Sequence, residues 1–244
     1  MATKLPSAQV ILTCQLCQKS SPVNIKNRKT EDSHLYSLSK TGLMHIVHDF
    51  SPLLPKAVYV SDDNIIMITR EKGDVFPPTE QSQRHIVVLD QMGKQKVSVI
   101  KYDKQNKCLF SFVMRRIIDK TFDIVCIDAL SSGCRRIVKV DNKSTIKWVY
   151  EGNADINTDE IPFSPADLAI TQSGNIIATE AKTHSLHIIS EEGFLIKYFM
   201  MEDMNVSLPI SLDIDLNGTL WIGCNTYNIP DNNTKFHKLE ITGC

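Results

Sequence analysis

Cys14-Gln-Leu-Cys17 has the spacing of a zinc knuckle. A structural zinc site closes with four ligands, and no second Cys-x-x-Cys or His-x-x-Cys follows. The nearest further candidates, His34 and Cys108, are distant and sit in strand-like stretches. Buried strand thiols account for the pair more simply, so no metal is expected. No Ser-His-Asp arrangement, phosphate-binding loop or dinucleotide fingerprint is present. The chain therefore reads as no enzyme, with no cofactor and no small-molecule substrate indicated.

Charge offers a second kind of chemistry. Formal net charge is −1 over 244 residues. Residues 94–147 nevertheless carry thirteen Lys/Arg against five Asp/Glu, while residues 148–244 carry four against fourteen. Arg115-Arg116 and Arg135-Arg136 stand out, with Lys120, Lys139, Lys143 and Lys147 nearby. A basic sector of this kind suits RNA phosphates or an acidic peptide. Few aromatics lie beside it to stack bases, and adjacent strand residues point to opposite faces. A solvated rim is the plainer reading. Two long loops, 70–84 and 226–235, offer Phe76 and Tyr227 as exposed anchors, since loops on a rigid scaffold commonly carry binding surfaces. Trp148 and Trp221 read as core.

The elements that must position these residues form a repeat. His184–Met200, "HSLHIISEEGFLIKYFM", reads as strand, tight turn, strand, with relatives at 34–50, 84–100 and 134–150 and half a copy at 234–242. The last apolar residue before each turn is Leu38, Leu89, Val140, Ile189 and Leu239, spaced 51, 51, 49 and 50 residues apart. The turns Ser39–Gly42, Asp90–Gly93 and Ser190–Gly193 place Gly where positive φ is needed, and Asp141–Ser144 uses Asn and Ser. A second strand pair precedes each hairpin: 54–69, 113–128, 164–180 and 208–224. Apolar residues alternate or run in short blocks, with no helical stripe of useful length.

Four strands per unit of about 40–50 residues is the pattern of a β-propeller blade. The expected fold is all-β, with an eight-residue tail (1–8) and a partial propeller over 9–244, in units of about 9–50, 54–104, 112–152, 163–201 and 208–242. The strands number eighteen, whereas a six-bladed ring needs roughly 24. The expectation is a ring incomplete at its N-terminus by about 55–75 residues, one blade period and two strands. A closed five-bladed ring is the alternative.

At 127–141 and 179–193 the sequence resembles NHL repeats, with Asp128 and Glu180 as the acidic residue ending strand two and His184 and His187 where that family often has His. From about residue 51 onward it is similar to the C-terminal parts of bivalve tripartite-motif-like proteins, through "SPLLPKAVYV", "YEGNADINTDE", "GNIIATE" and "SLDIDLNGTLWIGCNT". Ser39 and Ser190 replace the usual Asp. The resemblance implies a binding platform for a protein partner, with ubiquitin-ligase chemistry supplied by RING and B-box domains that this chain does not encode. It also admits an RNA-binding propeller using Arg115, Arg116, Arg135, Arg136, Lys139 and Lys143. Lactonase-type propellers hold a metal with acidic ligands; Asp128, Glu180, Asp213 and Asp215 would be the candidates here, but they fall at non-equivalent positions and read as turn caps. With seven scattered cysteines, no signal peptide and no membrane-length apolar run, the protein is expected in the cytoplasm with reduced thiols, its Asn-x-Ser/Thr sites without sugar, and away from membranes.

Overall fold

A computed structural model describes residues 10–13, 32–39, 41–60, 64–71, 73, 82–103, 106, 108–118, 123–225 and 236–241. The chain divides into two compact units, residues 1–101 and 102–244. In the first unit β1 (Val10–Thr13), β2 (His34–Leu38) and β3 (Met44–Asp49) form one antiparallel sheet. There β4 (Leu54–Val60), β5 (Asn64–Arg70), β6 (His85–Asp90) and β7 (Lys96–Ile100) form another. The second unit holds three sheets. They are β8 (Val113–Ile118), β9 (Ile124–Ala129), β10 (Arg135–Val140) and β11 (Ile146–Tyr150); β12 (Pro165–Ile170), β13 (Ile176–Glu180), β14 (Ser185–Ile189) and β15 (Leu195–Met200); and β16 (Pro209–Ile214), β17 (Thr219–Cys224) and β18 (Phe236–Glu240). Each sheet is a meander in chain order, and the fold is all-β.

The repeat positions are equivalent in register. Leu38, Leu89, Val140, Ile189 and Leu239 all lie near the end of a third strand, opposite Val10, Ile65, Ile124, Ile176 and Leu220 of the second. The turns that follow share one geometry. The fourth-residue N–H donates to the first-residue carbonyl in Ser39–Gly42, Asp90–Gly93, Asp141–Ser144 and Ser190–Gly193, at 2.8–3.1 Å. The fourth residue has φ of +82°, +69°, +65° and +91° respectively. Asp and Ser are interchangeable at the first position because either oxygen accepts the backbone N–H that closes the turn: Lys94 to Asp90, Thr145 to Asp141, Leu43 to Ser39 and Phe194 to Ser190.

First strands repeat a second device. Lys56, Met114, Ala166 and Ile210 are each an inserted residue just inside the strand, where pairing with the second strand shifts register. Pro55, Pro165 and Pro209 stand immediately before three of these bulges, at strand starts that tolerate a missing N–H.

Central strands are dry on both faces because neighbouring sheets cover both. In β13, Ile176 and Ala178 join Val125, Ile127, Ile137, Tyr150 and Phe163 on one side. Ile177 on the opposite side joins Leu186, Ile188, Leu220 and Ile222. In the first unit, Leu35 and Phe50 pack with Ile65, Met67, Val87 and Leu89. Each such side chain contributes roughly 1.5–3 kcal/mol by leaving water. A lone sheet could bury neither face, which is why the sheets within each unit pack against one another.

Candidate functional site

In the second unit, two second strands end on buried carboxylates. Asp128 Oδ1 accepts the N–H groups of Ser111 (2.8 Å) and Phe112 (2.6 Å), on the approach to β8. Arg136 donates to its Oδ2 at 3.0–3.1 Å. Glu180 Oε1 accepts the Ser164 N–H at 2.8 Å, on the approach to β12. Its Oε2 accepts from Asn157 Nδ2 and Thr183 Oγ1, both at 2.9 Å, and lies 3.2 Å from His187 Nε2. With Nε2–H given to the carboxylate, His187 Nδ1 is left to accept the Tyr150 hydroxyl at 2.8 Å, reaching the neighbouring sheet.

Burial pushes Asp128 up, and the hydrogen bonds from Phe112, Arg136 and Ser111 do not reverse it. Burial pushes Glu180 up as well, but the bonds from His187, Asn157, Ser164 and Thr183 prevail and hold it below the usual glutamate range. Burial, with the nearby Glu180 charge, raises the Tyr150 phenol. Asp128, Glu180 and His187 are fully buried, so these groups tie neighbouring segments of the chain together. Asp213 is spent on the Ile214 N–H, and Asp215 on its own turn and the Trp221 indole. Among the described residues no group of three His, Cys, Asp or Glu could hold a metal ion.

The basic residues singled out by sequence are drawn inward. Arg135 is part-buried, donates from Nη1 to the Pro165 carbonyl of the next sheet at 2.7 Å, and has its pKa lowered by burial. Arg136 adds the Leu109 carbonyl at 3.3 Å to its Asp128 pair. Lys139 is buried; its Nζ donates to the Glu191 carbonyl at 3.3 Å and lies 3.8 Å from the carboxylates of Asp123 and Glu191. Lys147 also reaches Asp123. Lys143 is exposed in its turn. Arg115 and Arg116 are placed by backbone alone, on β8 opposite Ile127 and Cys126. Phe76, Tyr227, Lys120, Cys14 and Cys17 lie outside the described residues. Arg135, Arg136 and Lys139 thus bond inside the protein, so a phosphate-binding surface built on them would have to break those bonds.

A different surface stands out. β15 is the outermost strand of its sheet, and its open side borders a groove of about 650 Å³ lined by Asn153, Ile196, Tyr198, Met200, Asp203 and Met204 among others. Ile196 is 55% exposed, Met200 40% and Met204 46%; Phe194, at the head of the strand, is 73% exposed. Exposed apolar side chains gathered in one concavity, with polar groups beside them, mark an interaction site. The signal in the sequence is Phe194–Met200, "FLIKYFM", seven residues with one charge on a strand whose outer side faces water. Read for its periodicity, the stretch shows the repeat; read for composition, it would have shown the patch.

No protein-family model matches the chain, and no curated protein does. Solved structures do. A streptogramin B lyase is similar over 86% of this chain and 62% of its own, at 17% identity and a TM-score of 0.53. A luciferin-regenerating enzyme matches over 87% and 72%, at 11% identity and a TM-score of 0.55. Virginiamycin B lyase from Staphylococcus aureus matches over 86% and 64%, at 13% identity and a TM-score of 0.51. The chain thus spans less than two thirds of the length of either lyase. At these identities the likeness shows the fold, a β-propeller. The expectation of no enzyme is corrected by the same finding: the scaffold is one that named enzymes use. The inference failed because a propeller gathers residues from separate blades and loops, so a missing linear motif says nothing about what the scaffold assembles.

Proposed function

We propose that the chain is a protein-recognition propeller, the partner-binding part of a tripartite-motif-type protein of the NHL-like class, acting in the cytoplasm. The observation that carries this reading is the apolar groove along β15, with Ile196, Met200 and Met204 exposed in it. A contiguous apolar patch in a concavity, unlike apolar residues exposed singly, marks an interaction site. The NHL-like part is supported by Asp128 and Glu180, each ending a second strand and closing the approach to its own first strand. In a tripartite-motif protein, the bound partner would be the substrate offered for ubiquitination. Among the described residues, thiols at Cys108 and Cys134 outside any disulfide are compatible with a reducing compartment.

A photo-crosslinking residue at Ile196, with another at Lys143 as the exposed control, tests the reading in cells. Adducts specific to position 196, identified by mass spectrometry and rebound as purified proteins, are expected. Met200→Asp and Met204→Asp should each abolish them. Equal adducts from both positions, or none from 196, would reject the β15 surface.

A further inference from the structure

Resting on that reading, we propose that the β15 groove takes its partner as an extended, basic and apolar peptide that adds to the sheet as a fifth strand. Backbone geometry supplies the first argument. The Met201 N–H donates to the His184 carbonyl, and Phe199 and Lys197 stand opposite Leu186 and Ile188. In an antiparallel ladder the peptide groups alternate between the two sides of a strand. Those of Tyr198 and Met200 therefore face away from β14, toward the open edge. An incoming strand finds N–H and C=O groups already held in extended geometry.

Side chains supply the second. Tyr198 and Met200 share one face of β15, by its two-residue period. They border the groove together with Ile196, the residue inserted where pairing shifts near the turn. A strand laid there presents alternate side chains to this apolar lining, and apolar residues at every second position suit it.

Charge supplies the third. Asp203 lines the groove at one end, with exposed Glu202 beside it. Asn153 lines the groove from the loop that carries exposed Glu151 and Asp155. Lys197, the one basic residue of β15, also lines the groove, where it sits over the Phe199 ring at 4.6 Å. Asn157 joins Asn153 to Glu180, which lies level with Ser185 and Met200, so these exposed carboxylates gather at the Met200 end of β15 and favour lysine or arginine in the ligand there. A second copy of this chain fits less well, because its β15 offers a single lysine to these carboxylates and brings the same acidic end with it.

Fluorescence anisotropy with the full chain and two labelled heptapeptides, alternating valine with lysine or valine with glutamate, tests this. The lysine peptide should bind about tenfold more tightly at low salt, with the difference shrinking as salt is added. Glu202→Gln/Asp203→Asn should erase most of the preference. Methylating the peptide nitrogens on one edge of the lysine peptide should abolish binding, and on the other edge should leave it intact, because only one edge meets β15. Tyr198→Pro removes an outward N–H and should weaken binding with the thermal midpoint preserved. Equal affinity for both peptides, or indifference to methylation on either edge, overturns the strand-addition inference. So does concentration-dependent dimerisation through β15 that excludes the peptide. Adducts at position 196 would still stand in those cases, which separates failure of the mode from failure of the surface.

Discussion

Two carboxylates in equivalent places carry opposite pH signatures, because burial outweighs the surrounding hydrogen bonds at Asp128 and is outweighed by them at Glu180. Glu180 meets neutral donors and a histidine and is held below its ordinary value of 4.5. A lowered carboxylate contributes stability that is present above the unfolded value and lost as pH falls through the folded one. Asp128 is raised above 3.8 by burial; its contribution is present below the unfolded value and lost as pH rises through the folded one. Glu180→Gln should therefore flatten the acid-side fall in stability, at a cost of about 1–3 kcal/mol at pH 7 from donors left poorly matched. Asp128→Asn should steepen that fall, having removed the opposing contribution. Urea denaturation midpoints between pH 7 and pH 3 measure both slopes. An unchanged acid slope in Glu180→Gln would remove Glu180 from the list of pH-linked groups.

The third-to-fourth-strand hairpin is the element that joins one sheet to the next. Trp148, on a fourth strand, donates from its indole nitrogen to the Glu191 carbonyl at 2.9 Å, in the hairpin turn of the following sheet. In the first unit His48 Nδ1, also on a fourth strand, lies 2.9 Å from the Gly93 carbonyl in the turn of the following sheet. Gly193 has φ +91°, and a Cβ there would lie 2.6 Å from the Trp148 ring; Gly218 has φ +78° in open space. Gly193→Ala should cost about 2–4 kcal/mol, from backbone strain plus overpacking, and Gly218→Ala only about 1 kcal/mol, from strain alone. Equal losses in urea denaturation would mean that Trp148 gives way and the close approach carries no weight. The contrast marks what was legible in the sequence. Turn, strand and repeat are local, written within a few residues of one another, and the all-β blade reading follows from them. Lys139 and its Glu191 partner are 52 residues apart, and Arg135 reaches the Pro165 carbonyl 30 residues on. Only stacking of the sheets brings such pairs together, so residues that look like a basic surface in sequence become ties between sheets. The β15 groove was obscured for a related reason: whether an apolar residue is core or surface depends on strand order in the sheet, which periodicity does not give.

At the scale of the molecule, stability is graded from inner to outer strands, and the proposed binding edge lies at the outer end of that gradient. β9, β13 and β14 are buried on both faces, whereas β15 holds only half-buried and exposed residues and pairs on one side alone. Local opening follows burial and hydrogen bonding, so amides of β9, β13 and β14 should exchange most slowly and those of β15 and β18 faster. Within β15 the pattern should alternate. Lys197, Phe199 and Met201 donate toward β14 and should be protected, while Tyr198 and Met200 point outward and should exchange rapidly. Residue-resolved hydrogen exchange on the free protein reads this directly. Slow exchange at Tyr198 and Met200, with fast exchange at Lys197 and Phe199, would mean a register shifted by one residue. The outward peptide groups and the apolar side chains beside them would then lie on different residues from those that the docking geometry requires.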